Sequence, residues 1–157
     1  MKRYYLPGLC MLAGIAAAPA ALAEPGIRLE QQIFVERITT DINGRARRVL
    51  ASPDRIAPGD QLIFVIHWSN RGRHPVRGFA VTNMVSRGIA PDLSDPAMQL
   101  SVDGGAHWGR LDQLWLPTAL GGVRRAVPAD ITHVRWSVPD AVPPGQAGRL
   151  TWRATMR

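Results

Sequence analysis

The chain has 157 residues, 46% of them hydrophobic, with 15 glycines, 13 prolines and one cysteine. Nineteen Lys and Arg against 12 Asp and Glu give a formal net charge of +7. That length holds one domain or two very small ones, the hydrophobic content is that of a folded chain, and one cysteine excludes a disulfide framework and a multi-thiolate zinc module.

Residues 1–23 read as a signal peptide. Lys2 and Arg3 open it, residues 6–18 are apolar, and Ala21-Leu22-Ala23 has the small-x-small pattern of a cleavage site. The apolar stretch is shorter than the roughly 20 residues of a membrane-spanning helix, and Pro7 and Pro19 interrupt it. Cys10 follows Leu9 at the start of that stretch, where a lipid-anchor signal would need a small residue before the cysteine. Cleavage after Ala23 leaves residues 24–157, in which 17 arginines face 12 acids for a net charge of +5. That portion holds no lysine and no cysteine. The expectation is a periplasmic or secreted protein with no transmembrane segment after signal cleavage.

Beyond residue 30 the apolar period is two almost throughout. Residues 33–42 and 45–50 read as a hairpin around Asn43-Gly44, a strong short-turn signal. Pro58-Gly59-Asp60 is a turn, after which Leu62, Phe64, Ile66 and Trp68 share one strand face. The opposite face is also apolar as far as Val65, which predicts a central strand covered on both sides. Asn70 and Gly72 mark another turn, residues 79–85 the next strand, and residues 86–96 a crossing loop. Leu100 and Val102 lead into Asp103-Gly104-Gly105, and residues 108–116 read as the returning strand. Residues 120–130 read as a loop or edge segment around Gly121-Gly122. Val134, Trp136 and Val138 alternate, Pro143-Pro144-Gly145 turns the chain, and Leu150, Trp152, Ala154 and Met156 alternate to the end. No amphipathic helix is predicted. The expected core is Phe64, Ile66, Trp68, Phe79, Val81, Val102, Trp136, Leu150 and Trp152, with the tryptophans as core filling rather than a sugar-binding platform.

The series Pro58-Gly59-Asp60, Leu62, Phe64, Ile66, Trp68, Asn70 and Gly72 resembles the opening of the bacterial conserved-repeat domain, also called domain of unknown function eleven. Pro75, the stretch 79–83, Asp103-Gly104-Gly105, Trp136 and Pro144-Gly145 continue the resemblance over residues 30–157. It implies an immunoglobulin-like antiparallel β-sandwich, here of about seven to nine strands, found in exported and envelope-associated proteins and carrying no enzymatic activity. Many members are tandem arrays, whereas this chain holds one copy. The expected organisation is therefore a signal peptide at 1–23 and one sandwich domain at 24–157.

The remaining constellations read as structural. Ser101, Asp103, Gly105 and Trp108 resemble the Asp-box of sialidase-like propellers, with His107 where threonine is usual. One copy cannot build a propeller, so the reading is a turn staple. His67, His74, His107 and His133 lack metal-site spacing. Ser101, Asp103 and His133 supply the residue types of a triad without a nucleophile elbow. No catalytic, cofactor-binding or metal residue is assigned and no cofactor is expected. Arg45, Arg47 and Arg48, Arg71 and Arg73, and Arg124 and Arg125 gather near turns and could meet anionic envelope polymers. Nucleic acid is a poor partner for an exported protein. The sequence thus points to a non-catalytic envelope or surface module whose partner is an envelope or surface protein. The rival reading is a small periplasmic binding protein for a metal ion or an anionic glycan or lipid phosphate. Convergence of three histidines, or of Arg45, Arg47 and Arg124, would favour it.

Overall fold

Strand-length alternation becomes an antiparallel sheet around the most apolar segment of the chain. In the computed structural model, which describes residues 26–138 and 140–157, β3 (Gln61–Asn70) lies between β1 (Ile27–Thr40) and β10 (Ala147–Met156). The expected signal peptide and its cleavage site lie outside the described residues. β2 (Ala46–Ala51) and β5 (Ile89–Pro91) complete a five-stranded sheet in the order β2-β1-β3-β10-β5. β4 (Ala80–Met84), β9 (His133–Ser137) and β6 (Gln99–Ser101) form a second sheet in the order β4-β9-β6. A separate hairpin pairs β7 (Trp115–Pro117) with β8 (Val123–Arg125). Among the described residues the only helical pieces are 3₁₀ turns at Leu111–Gln113 and Pro128–Asp130, and no helix is long and apolar enough to cross a membrane.

The register decides which side chains face the core. Directly paired residues share a sheet face, so Leu62, Phe64 and Ile66 look inward with Val35 and Ile33 of β1 and with Ala154, Trp152 and Leu150 of β10. Val81, Leu100, Val134 and Trp136 of the smaller sheet meet them in one continuous core. Phe64 and Trp152 stack at 4.0 Å, and Trp136 reaches Trp152 across the sheets at 6.1 Å. All nine expected core residues belong to this core or pack against it. Asn70, fully buried, ties its rim together. Its Nδ2 donates to the carbonyls of His74 and Val142 at 2.9 and 2.8 Å, and its Oδ1 accepts from the Gly72 N–H at 2.9 Å.

The all-β antiparallel sandwich is as expected, with ten strands rather than seven to nine. Its strand order is not that of an immunoglobulin domain. Lettering β1, β3, β4, β5, β6, β9 and β10 as A to G, the sheets read A-B-G-D and C-F-E. An immunoglobulin domain has A-B-E-D and C-F-G, so the fifth and seventh strands exchange sheets. Two local expectations are also corrected. The crossing loop 86–96 contains β5, where Pro91 sits on an edge strand that tolerates its missing N–H. The return at 108–116 is reduced to one bridge, Leu100 to Gly109, before the 3₁₀ turn at Leu111. Residues 120–130, read as a loop or edge segment, hold the short strand β8 and a 3₁₀ turn, because Gly121-Gly122 folds β8 back onto β7.

One glycine is fixed by packing. Gly148 pairs with Trp68, and a Cβ there would stand 2.2 Å from the indole ring. Gly148→Ala is therefore expected to cost about 2 kcal/mol, seen as a Tm fall of roughly 8 °C. In a Trp68→Ala background the same change should cost almost nothing. A double-mutant cycle by thermal unfolding checks this, and additive losses would contradict the close approach.

Candidate functional site

The Asp-box-like turn folds as a staple. Ser101, fully buried, donates its hydroxyl to Asp103 Oδ1 at 2.7 Å and accepts from the Gly105 N–H at 2.9 Å. Asp103 Oδ1 also accepts from the N–H groups of Ala106 and His107 at 3.1 and 3.0 Å, and Oδ2 lies 2.6 Å from His107 Nδ1. These donors, the His107 N–H first, hold the Asp103 carboxyl far below the usual carboxylate range. His107 is thus not an idle departure from the pattern, since its ring supplies one more partner to the carboxylate. Trp108 lies over the outer face of the second sheet, with Arg135 stacked on it at 4.2 Å and His133 edge-on at 6.4 Å.

The triad residue types do come together, in the wrong order. Ser101 and His133 are direct partners in the β6–β9 ladder. Yet the Ser101 hydroxyl is given to Asp103, and His133 Nδ1 lies 3.1 Å from Thr132 Oγ1. A nucleophilic triad needs the imidazole to receive the serine proton, with the carboxylate behind the imidazole. Here the carboxylate holds the serine directly.

The histidines stand apart: His67 is on β3 of the larger sheet and His133 on β9 of the smaller. Among the described residues no three His, Cys, Asp or Glu side chains gather to hold a metal. The arginine groups do not converge either. Arg71 and Arg73 follow the far end of β3, roughly 30 Å of strand from its start, where β1 and β2 leave the sheet. Arg124 is spent on a bidentate pair, both guanidinium nitrogens 2.7 Å from Asp130 oxygens. That pair, reinforced by the Val127 N–H, lowers the Asp130 pKa to about 2.

Two features remain open to a partner. The first is the β1–β2 ribbon. β1 pairs with β3 only from Ile27 to Glu36, so its last four residues pair with β2 alone. At its tip Asp41 Oδ1 accepts from the Asn43 and Arg45 N–H groups, both at 2.9 Å, and Gly44 takes φ +74°. Of residues 37–50 all but Asp41 are exposed, including Ile38 at 73%, Leu50 at 54% and Ile42 fully. The ribbon also carries Arg37, Arg45, Arg47 and Arg48, of which Arg47 and Arg48 make loose pairs with Asp41 and Glu36 at 3.3 and 3.9 Å.

The second is a cleft of about 490 Å³ between the β5–β6 loop, the 3₁₀ turn at Leu111 and the end of β8. No motif or spacing in the sequence marks it. Its lining comes from three separated stretches, two of which read as loops, and only the fold joins them. No family model, no curated protein and no solved structure matches this chain.

The two constrained carboxylates set an acid limit. Both have folded pKa values below the roughly 3.9 of an unfolded aspartate. Their stabilisation is complete above that value and is lost as pH falls toward 2. Urea unfolding from pH 6 to 2 should show stability dropping below about pH 4, with a shallower drop in Asp130→Asn. An unchanged slope in that variant would contradict the Arg124 pairing.

Proposed function

We propose that this chain is an exported, non-catalytic β-sandwich module of the bacterial envelope or surface, and that it works by holding a partner protein through the β1–β2 ribbon. The observation that carries this reading is the ribbon itself. A two-stranded hairpin is marginal in water by itself, and here it presents Ile38, Ile42, Val49 and Leu50 to solvent on an arm beyond the sandwich. Burying those side chains against a partner supplies the missing packing. The signal-peptide pattern of residues 1–23 supports export. The resemblance to the conserved-repeat domain over Pro58 to Gly72 supports the envelope setting. The non-catalytic reading is supported by the Ser101 hydroxyl being committed to Asp103.

The ribbon's four arginines against Asp41 favour one second reading, an anionic envelope polymer as the partner. The two readings separate in one experiment. A photo-crosslinking residue placed at Ile42 in the source bacterium should give a discrete protein adduct, while the same residue at Leu120, exposed on the β7–β8 turn, should give none. The released protein should begin at Glu24 by intact mass. No adduct at Ile42, with retention on a heparin column at low salt, would replace the protein partner by a polymer. A cytoplasmic, uncleaved chain would overturn the export reading.

A further inference from the structure

We infer that the cleft between the β5–β6 loop and the β7–β8 hairpin is a binding site for a small amphiphilic carboxylate, an acyl chain with one anionic head. This goes beyond the proposed partner-holding role and does not rest on it. The cleft's volume, about 490 Å³, falls within the roughly 300–1,000 Å³ of small-molecule sites. Its floor is core material: Met98, Leu100 and Ala126 are buried members of the hydrophobic core, and Leu111 packs against it. Leu93 extends the apolar surface toward the mouth.

The charges at the mouth are unequally committed. Asp95 is engaged, since its Oδ2 accepts from Trp136 Nε1 at 2.8 Å and its Oδ1 from the Ala97 N–H at 2.9 Å. Asp112 faces Arg110 at 3.7 Å, beyond hydrogen-bond length and with both side chains exposed. Arg125 is different. Its guanidinium lies over the Trp115 ring at 5.4 Å and makes no hydrogen bond or ion pair among the described residues. Its neighbour Arg124, by contrast, is locked onto Asp130. Stacking on an aromatic face orients a guanidinium and leaves its in-plane N–H donors free, the geometry that receives a carboxylate in a two-pronged contact. A carboxylate head on Arg125 places an attached acyl chain over Met98, Leu100 and Leu111. A cationic head would face Arg125 and Arg110 and find only Asp112 to engage, which Arg110 already approaches at 3.7 Å.

The test uses the exported protein with ¹³C-methyl methionine. Residues 24–157 contain Met84, Met98 and Met156, of which only Met98 lines the cleft. Octanoate should shift the Met98 methyl resonance saturably and leave Met84 and Met156 in place. Acetate, with the head and no chain, and octylammonium, with the chain and the opposite head, should leave Met98 unmoved at the same concentrations. Arg125→Gln should weaken octanoate at least tenfold, its Met84 and Met156 resonances showing that the variant is folded. Leu111→Asp, which sets a negative charge on the floor, should abolish the shift. An unresponsive Met98, an equal response to octylammonium, or unchanged affinity in Arg125→Gln would each overturn the inference.

Discussion

Trp136 crosses the gap between the two sheets, and everything else in the molecule is arranged around that crossing. Its ring meets Trp152, which lies flat on Phe64 with 9° between planes. Three aromatic side chains from β9, β10 and β3 thus span the full thickness of the sandwich. Large rings bury most apolar area per residue, which suits a domain of this size without disulfides to help it. Of the two buried indoles, Trp152 has no hydrogen-bond partner for its N–H among the described residues, whereas the Trp136 N–H donates to Asp95 at 2.8 Å. That bond reaches out of the core into the β5–β6 loop, so core packing and loop position are one constraint.

One surface feature inherits its shape from it. The loop that Asp95 anchors is one wall of the cleft, with Met98 at its foot, so the apolar floor is the core's own edge left uncovered. The ribbon is the complementary case. It departs where β1 outruns β3, and among the described residues every one of 37–50 except Asp41 is exposed. At its base Arg37 donates to the Arg55 carbonyl at 2.8 Å and sits 3.6 Å from Asp60, which fixes where the arm leaves. Asp60 meanwhile accepts from the Ala57 N–H and closes the Pro58-Gly59 turn. Short polar contacts position the arm, and apolar side chains stand exposed along it, Val49 and Leu50 toward its base and Ile42 at its tip.

What the sequence showed follows from where the period-two signal stays clean. β3 was legible because Leu62 to Ile66 is an unbroken apolar run between two turn signals, and β10 because Leu150, Trp152, Ala154 and Met156 alternate with polar or small partners. The start of β1 was not, since Gln31 falls on the inward face where an apolar residue would mark a strand. Asn83 Nδ2 of the second sheet donates to Gln31 Oε1 at 2.7 Å, a polar bridge between the sheets that breaks the alternation. β5 was hidden by Gly88 and Pro91, punctuation that an edge strand can carry. The Asp-box-like turn was legible as a staple because its bonds are local, from residue 101 to 107, while the His107 ring contact with Asp103 was not. Strand order was not local, and the resemblance suggested the immunoglobulin arrangement that the pairing of β10 with β3 replaces. The cleft and the free Arg125 lay beyond sequence reading for the same reason: residues 93 and 125 meet only through the fold.

One aromatic-centred core holds both sheets while the ribbon stands outside it. Amide hydrogen exchange tests this directly, because amides released only by global unfolding share the slowest rate. Leu62, Phe64, Val134, Trp136 and Trp152 should exchange together and slowest, with residues 38–40 and 46–49 faster by at least about a hundredfold. Ribbon amides protected as strongly as those of β3, or β9 exchanging independently of β3 and β10, would contradict it.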